Sequence, residues 1–225
     1  MLALPVRDRG GCEQGVDEVS VSGDDELAGA LAAAIAGDAD GFAVLWRAHQ
    51  PAVLRYLRVV AGQAAEDVAS EAWLQAARDL HRFDGDPSAF RGWLFRIARH
   101  RAIDNRRRLA RRPEEPADSV EGHGLEARDT AAEMLERSDT AWALDLVATL
   151  PPDQAEAVML RVVAGLDVAG AAQVLGKRPG AVRVATMRGL RRLAAMPQVH
   201  ARNEVVPQPH DVAGRRPGRP RTGEV

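Results

Sequence analysis

Hydrophobic residues in the first half of the chain recur at steps of three and four positions. The clearest run is Phe42, Leu45, Trp46, His49, Val53, Leu57 and Val60. Such spacing is typical of one buried helical face. Pro51 lies inside this run, and we expect it to kink or restart the helix because proline lacks an N–H group. An earlier helix is predicted to begin at Asp24 or Asp25 and to end at Gly37.

The same periodicity continues as far as residue 112. A third helix is predicted from about Ala64 to Leu80, and its buried residues are Ala69, Trp73, Ala76 and Leu80. The segment 83–90, FDGDPSAF, is predicted to be a loop by its glycine and proline, with Ser88 as a helix cap. The next helix must end before Pro113. Its predicted buried residues are Phe90, Trp93, Leu94 and Ile97.

Four further helices are predicted in the second half. The first begins at Glu133, and the second begins at Pro151-Pro152 and ends at Gly165. The third ends at Gly176, and the fourth runs from Pro179 or Gly180 to about Ala195. The first of the four buries Leu135, Trp142, Leu146 and Leu150, and the last buries Val182, Thr186, Leu190 and Leu193. No strand-like alternation occurs, so the predicted fold class is all-α.

Charge is segregated into blocks along the chain, although the formal net charge is only −2. Residues 1–40 hold nine acids and two arginines, and residues 113–136 hold eight acids and one arginine. We predict two small helical domains joined by an acidic flexible linker. The segments are a disordered N-terminal extension (1–23), a first domain (24–112), the linker (113–136), a second domain (137–196) and a disordered basic, proline-rich tail (197–225).

Composition argues against several classes of protein. Cys12 is the only cysteine, so the chain can form neither an intrachain disulfide nor a thiolate metal cage. The six histidines show no metal-ligand spacing, and no phosphate-cradling glycine loop or nucleophile motif occurs. We therefore expect no catalysis, no metal and no cofactor. No apolar run approaches the length of a membrane span, so a cytoplasmic protein is expected.

Two arginine-dense segments carry the strongest functional signal. From Arg96 to Arg112 there are eight arginines against one acid, Asp104, with aromatic residues interleaved just before them. Residues 177–192 hold six basic residues and no acid, and follow a short helix and a glycine turn, as in a helix-turn-helix. Cations neutralise phosphate and aromatic faces stack on bases, so both segments suit nucleic acid.

Individual roles follow from these positions. In a helix-turn-helix the start of the second helix meets base edges, which favours Arg178, Arg183 and Arg188 as readers and Arg192 as a phosphate contact. The loop residues Phe83, Asp84, Asp86 and Ser88 could hold an extruded base by stacking and by hydrogen bonds to its edge. Asp67, Glu71, Leu74 and Arg78 share one outward helical face, which suits a protein partner.

Two long strings resemble one family. AEDVASEAWLQAARDLHRFDGDPSAFRGWLFRIARHRAIDNRRR and LPPDQAEAVMLRVVAGLDVAGAAQVLGKRPGAVRVATMRGLRRL are similar to regions two and four of the extracytoplasmic-function sigma factors of bacterial RNA polymerase. The likeness covers residues 25–112 and 140–195. It implies that region two docks on the beta-prime clamp helices and melts the −10 element. Region four would bind the −35 element and the beta flap.

The resemblance also implies site residues and partners. The residues implied to bind core polymerase are Asp67, Glu71, Leu74, Gln75 and Arg78. Recognition and melting of the −10 element fall to Phe83, Asp84, Asp86, Ser88, Trp93, Arg96, Arg99, His100, Asn105, Arg106 and Arg107. Recognition of the −35 element falls to Lys177, Arg178, Arg183, Thr186, Arg188 and Arg192. The partners would be core polymerase, duplex and single-stranded promoter DNA, and an anti-sigma protein, with no membrane.

Two alternatives remain open on the sequence. One is a dimeric helix-turn-helix regulator that binds duplex DNA without polymerase, which leaves the acidic face around Asp67 and the 83–112 segment unexplained. The other is a helical adaptor with no salt-dependent DNA binding. A footprint with and without core polymerase separates the first alternative from a sigma factor.

Overall fold

The computed structural model describes residues 17–111 and 131–205, and side-chain surroundings for 23–111 and 138–202. Within those ranges every regular element is helical, which confirms the all-α prediction. The α-helices are α1 (Asp17–Ile35), α2 (Ala39–Ala61), α3 (Ala65–Asp79), α4 (Pro87–Arg111), α5 (Ala131–Ala148), α6 (Pro152–Val158), α7 (Val168–Leu175), α8 (Pro179–Ala194) and α9 (Pro197–Val205). Helices α1–α4 form an N-terminal bundle and α5–α9 a C-terminal bundle.

The N-terminal bundle has a dense aromatic and aliphatic core. Tyr56 of α2 meets Phe95 of α4 edge-to-face at 5.5 Å, and both side chains are fully buried. Gly41 lets α1 and α2 approach closely, since a Cβ there would lie 2.7 Å from the carbonyl oxygen of Ala30. Trp73 donates from Nε1 to Oε1 of Gln50 at 2.5 Å and so ties α3 to α2.

Three expectations for the first two helices need correction. α1 begins at Asp17 rather than at Asp24 or Asp25, because no proline interrupts the chain between the two points. α2 is not restarted at Pro51, whose exposed position leaves the lost hydrogen bond to solvent. Trp46 is 43% exposed rather than buried, whereas the unpredicted Tyr56 fills the core.

The turn before α4 is also capped differently from the prediction. Pro87 occupies the first helical position, so Asp86 is the cap and Ser88 is not. The Asp86 carboxylate accepts from the backbone N–H of Ala89 at 2.7 Å. α3 and α4 otherwise match the prediction: Ala69, Trp73, Ala76, Leu80, Phe90, Leu94 and Ile97 are buried, and only Trp93 is half-buried.

The C-terminal bundle is built on the contact between α6 and α8. A Cβ on Gly189 would lie 2.7 Å from a methyl of Val158, so the helices are as close as a glycine allows. After α6 the chain makes a π-helical turn, Met159–Val163, before Gly165 ends it with a positive φ of 65°. α7 begins after its cap Asp167, which was not predicted, and it ends at Gly176 in the left-handed region, as predicted.

Several expectations for this bundle are wrong in detail. Leu190 of α8 is 43% exposed, and the buried position beside it is Gly189. In α5 the buried residues are Leu144 and Val147, while Trp142 and Leu146 are half-buried. The predicted disordered tail begins with a helix, α9, where Arg202 pairs with Asp139 and lies 4.5 Å from the centre of the Trp142 ring. Predictions for residues 1–16, 112–130 and 206–225 lie outside the described residues.

The two bundles pack against each other and share one buried hydrophobic cluster. α7 lies against α4, and α2 contacts both α5 and α6. Leu166, just before α7, sits over Gly92, where an added Cβ would meet its methyl at 4.0 Å. No helix in the two described ranges is long and apolar enough to cross a membrane.

Candidate nucleic-acid interface

A groove of about 640 Å³ lies where the loop of residues 83–86 and the start of α4 face α7. Its walls bring together a set of residues that the sequence singled out: Phe83, Asp84, Asp86, Ser88, Trp93 and Arg96. The opposite wall comes from the C-terminal bundle and includes Asp167 and Gln173. The structure thus places six of the eleven predicted −10 residues around one opening.

An aromatic cluster of Phe83, Phe90 and Trp93 lies beneath this loop and beside the groove. Phe83 lies 5.7 Å from Phe90 and 5.2 Å from Trp93, measured between ring centres. Phe90 is fully buried, while Phe83 and Trp93 are half-buried and border the groove. Two fixed aromatic side chains at the edge of a polar opening are what stacking on a base requires.

The polar residues around the loop differ in whether their side chains are already hydrogen-bonded within the protein. Asp86 already accepts the N–H of Ala89 and holds the start of α4. Asp84 and Ser88 are exposed. Gly85 has a φ of 151° and its Cβ would lie 2.9 Å from that of Ala89, so the loop can pass this point only with glycine. Asp84 of the loop and Ser88 in the first turn of α4 are therefore the polar residues best able to meet a ligand.

The basic face of α4 divides into paired and unpaired arginines. Arg96 is exposed at the groove, whereas Arg99 forms an ion pair with Glu156 at 2.6 Å. Arg107 lies 3.7 Å from Asp104 and is largely exposed. His100 and Arg107 line a second opening of about 570 Å³ on the outer side of α4.

Asn105 is not on the exposed basic face of α4. Its side chain is buried and its Oδ1 accepts from Arg108 at 2.8 Å. A direct contact between Asn105 and DNA would require that helical segment to rearrange. Arg106, by contrast, is exposed at the junction of the two bundles, beside Glu156.

The helix-turn-helix is formed by α7, the turn at residues 176–178 and α8. Arg178, Arg183, Arg188 and Arg192 are all exposed along α8 or at its start. Lys177 pairs with Asp153 at 2.7 Å. Thr186 points inward, and its hydroxyl is buried with no hydrogen-bond partner, so its placement suits packing better than base reading.

The acidic face of α3 is exposed as predicted. Leu74 is 62% exposed, and Asp67 lies about two turns before it on the same side of α3. Arg78 folds back to donate to the carbonyl of Leu74 at 3.1 Å. Glu71 lies 3.8 Å from Arg108, and Gln75 accepts from Arg101 at 2.8 Å, so both are engaged by α4.

Sequence reasoning missed an apolar stripe on α8. Val184, Met187 and Leu190 are each more than two-fifths exposed between the arginines. It also missed Glu156, which belongs to the contact between bundles. A three-residue spacing of Val184, Met187 and Leu190 was visible in the sequence, but only the structure shows that the stripe faces outward.

Two buried polar side chains lie behind the interface. Burial, with the nearby charge of Arg91, lowers the pKa of His49 to about 4. Its Nε2 has no hydrogen-bond partner and its ring rests against Phe90 at 5.6 Å. Burial also raises the pKa of the Tyr56 hydroxyl, and the Glu156 carboxylate adds to that effect.

No group of three or more histidine, cysteine or acidic side chains that could hold a metal occurs in the described parts of the chain. The described residues carry two basic surfaces, one on each helical bundle, an arrangement that suits a helical DNA-binding protein. Residues 45–112 match the family model for sigma-70 region 2, and residues 140–193 match that for sigma-70 region 4.

Named relatives agree with the family models. ECF RNA polymerase sigma factor ShbA of Streptomyces griseus is 36% identical over 173 residues, which are 72% of this chain and 91% of ShbA. ECF RNA polymerase sigma factor SigD of Mycobacterium tuberculosis is 31% identical over 175 residues, which are 75% of this chain and 82% of SigD. The chain belongs to the ECF sigma factors of RNA polymerase, and its function is that of a sigma factor in transcription initiation.

A solved structure shows the same fold. The structure of CnrH in complex with the cytosolic domain of CnrY matches with a TM-score of 0.54 and 25% sequence identity. The match covers 76% of this chain and 96% of CnrH. The dimeric regulator considered above is not favoured by any of these comparisons.

Proposed function

We propose that the chain acts without catalysis of its own, by holding core polymerase with α3 and promoter DNA with the groove and with α8. The observation that carries this division is the presence of two separate basic surfaces, one beside an aromatic-lined groove and one in a helix-turn-helix. Duplex recognition needs the second and capture of an unpaired base needs the first.

In this scheme Phe83 and Trp93 stack on an unpaired base of the −10 element, and Asp84 and Ser88 bond to its edge. Arg96 and Arg106 hold the separated strand, joined by Arg99 once its pair with Glu156 opens. Arg178, Arg183 and Arg188 read the −35 duplex while Arg192 and Lys177 meet phosphate. The roles of Asp84, Ser88, Arg96, Arg106 and the α8 arginines rest on their exposure, and those of Phe83 and Trp93 on their position at the groove. Lys177 would have to leave its pair with Asp153.

The proposed partners are core polymerase, through the clamp helices and the flap, and an anti-sigma protein. Support for the last comes from the CnrH structure, which contains the cytosolic domain of a second protein. The groove between the bundles and the face of α3 are the surfaces that such a protein could cover. A protein that does all of this works in the cytoplasm, where the chromosome and the polymerase are.

A footprint on promoter DNA tests the proposal. Sequencing RNA 5′ ends after overproduction of the chain identifies a promoter that depends on it. The purified chain should protect this DNA strongly only together with core polymerase, and permanganate should then modify thymines in the −10 region. Full protection by the chain alone would instead indicate a regulator of duplex DNA.

Loop variants test base capture separately from docking. Asp84→Ala removes an exposed carboxylate from the loop. Asp86→Asn removes the other loop carboxylate but keeps a side chain that can still cap α4. We expect Asp84→Ala to reduce permanganate reactivity with core polymerase present while protection of the −35 element remains. Ser70→Ala, on exposed α3, is the control. Unchanged opening by Asp84→Ala combined with Ser88→Ala would show that the loop only connects helices.

A further inference from the structure

The apolar stripe of α8 (Val184, Met187 and Leu190) has no role in the core of the C-terminal bundle. Each of the three side chains is 41% to 43% exposed. Seven large hydrophobic side chains are exposed in the part of the chain whose side chains the structure describes, and these three share one helix of 16 residues. Exposed apolar side chains that cluster in this way mark a binding surface.

Val184 and Met187 lie in the middle of the outward face of α8. The inward face is fixed by Val182 and Gly189, which are both buried against the rest of the bundle. At about 100° per residue, Val184 and Met187 each lie about 140–160° around the helix from those two positions. They are therefore the side chains of α8 that would enter a groove most deeply.

Gly180 continues the same line toward the start of the helix. It is exposed, and around the helix it falls between Val184 and Met187. Nothing lies within 4 Å of a Cβ added at this position, so the fold itself does not require a glycine there. A glycine leaves the backbone bare and allows a ligand to approach it closely.

Positive charge borders this line on both sides. Arg183 and Arg188 are exposed, and they lie about 70° to either side of the middle of the line through Val184 and Met187. Residues 177–192 hold six basic residues and no acid. The major groove of a DNA duplex offers base edges between two rows of phosphates, which complements apolar side chains between two arginines. Charge complementarity thus favours duplex DNA as the occupant.

The major groove presents one apolar group to such side chains, which is the C5-methyl group of thymine. Val184 lies in the second turn of α8, and residues near the start of a recognition helix meet base edges. Val184 and Met187 are about 4.5 Å apart along the helix axis, while base pairs repeat at about 3.4 Å. Thymines in neighbouring base pairs, on either strand, are therefore within reach of the two side chains.

We propose that Val184 and Met187 determine specificity for the −35 element by packing on thymine methyl groups in the major groove, one thymine each. This inference rests on the proposed function for the role of α8 as the helix that reads the duplex. Arg183 and Arg188 then contact the base edges and phosphates on either side. Leu190 lies farther from the start of α8 and at the edge of the line, so it takes no part in the contact.

Removal of single methyl groups from the DNA tests the contact. Duplexes randomised across the −35 element are selected by the chain with core polymerase and, separately, by the chain alone. In the selected duplex each thymine is then replaced, one at a time, by deoxyuridine, which lacks only the C5-methyl group. We expect the affinity to fall about fourfold at each of two thymines, the factor that corresponds to burial of one methyl group.

Protein variants assign each methyl group to a side chain. Val184→Ala should bind the unmodified duplex about fourfold more weakly and should lose the uracil penalty at one of the two positions. Met187→Ala should lose the penalty at the other position. Leu190→Ala, the matched control from the same stripe, should keep both penalties. A wild type without any uracil penalty, or penalties that persist unchanged in both variants, would overturn the inference.

A pull-down of core polymerase without DNA tests a protein as the occupant of the stripe. Val184→Ala and Met187→Ala should capture core polymerase as well as the wild type, because the side chains they shorten contact only DNA. Weaker capture by both variants, together with no uracil penalty in the wild type, would assign the stripe to a protein contact and reject the methyl contact.

The outcomes separate this inference from the proposed function. If the chain selects its duplex without core polymerase and shows both uracil penalties, the proposed function fails and the methyl contact stands. If transcription depends on the chain but uracil costs no affinity, the methyl contact fails and the proposed function stands. Selection of no duplex under either condition would overturn both.

Discussion

His49 shows how a single buried side chain can set the pH response of the N-terminal bundle. It is 5% exposed, its Nε2 has no partner, and its pKa is lowered to about 4. The unfolded chain binds this proton near pH 6.5, well before the folded chain does. Acidification therefore favours the unfolded state between those two values.

We predict that the free energy of unfolding falls by up to about 3 kcal/mol between pH 6.5 and 4 because of His49 alone. Chemical denaturation at several pH values measures it. His49→Leu should lose that part of the pH dependence, whatever its effect on absolute stability. An identical pH dependence in wild type and variant would mean that His49 is protonated inside the fold.

We predict that arginines near the start of α8 recognise bases and that those near its end contact phosphate. Arg183 lies in the second turn and Arg192 near the end, and both are exposed. With core polymerase present, Arg183→Ala should weaken a preferred promoter by ~1–3 kcal/mol and blur sequence preference. Arg192→Ala should weaken all sequences alike and reduce the salt slope by about one. Equal loss of discrimination in both variants would contradict the division.

Helix faces carry the contacts with larger partners. On α3, Asp67 and Leu74 face outward, while Glu71 and Gln75 are held by Arg108 and Arg101. Reversing the charge of Glu71 would break its ion pair with Arg108 of α4, so the change would disturb α4 as well as any contact with a partner. Asp67 is therefore the cleaner probe of this face.

Asp67→Lys should reduce capture of core polymerase at least about tenfold, because like charges then meet if the partner surface is basic. Glu66→Lys makes the same change of charge on a different side of α3 and should bind like the wild type. A pull-down at equal concentrations compares them. Loss of binding in both variants would point to net charge rather than to this face.

The contact between α6 and α8 gives a stability prediction. Gly189→Leu should lower the free energy of unfolding by ~2 kcal/mol, since its side chain would overlap Val158. Gly180→Leu is the matched control, because nothing lies within 4 Å of its added Cβ. Thermal denaturation followed by circular dichroism distinguishes them. Equal stability would mean that the two helices can move apart freely.

Helix boundaries set by glycine and proline were predictable from the sequence, and those set by tertiary contacts were not. Gly176 ends α7 as predicted because a left-handed glycine acts locally. Leu190 and Trp46 were wrongly assigned to the core because periodicity identifies a stripe but not its edges. The groove residues on the loop and the start of α4 are continuous in sequence and were predicted together, whereas the opposite wall at α7 was not predicted. Glu156 pairs with a residue 57 positions away, and no local pattern reveals that.

At the scale of the whole molecule, the two bundles share one buried hydrophobic cluster. Their buried hydrophobic residues are contiguous, and α4 packs on α7 as α2 packs on α5 and α6. Cooperative packing of this kind couples the unfolding of the parts that share it.

We predict that fluorescence and circular dichroism report one coincident unfolding transition. Trp142 is the tryptophan of the C-terminal bundle, so Trp46→Phe, Trp73→Phe and Trp93→Phe together leave a probe of that bundle alone. In this triple variant the fluorescence transition should match the helical signal of the whole chain. Two separated transitions would show that the bundles fold independently.

Lys177 is the only lysine in the sequence, and it lies in the turn between α7 and α8 with its amine held by Asp153. A lysine-specific protease therefore has a single cleavage site, which would divide the chain into residues 1–177 and 178–225 and detach the recognition helix. Amine-directed dyes or resins would likewise attach to a side chain at this one turn. Bound promoter duplex should slow both reactions, so the rate at which the intact chain is cut into two fragments reports occupancy of the helix-turn-helix without any engineered label.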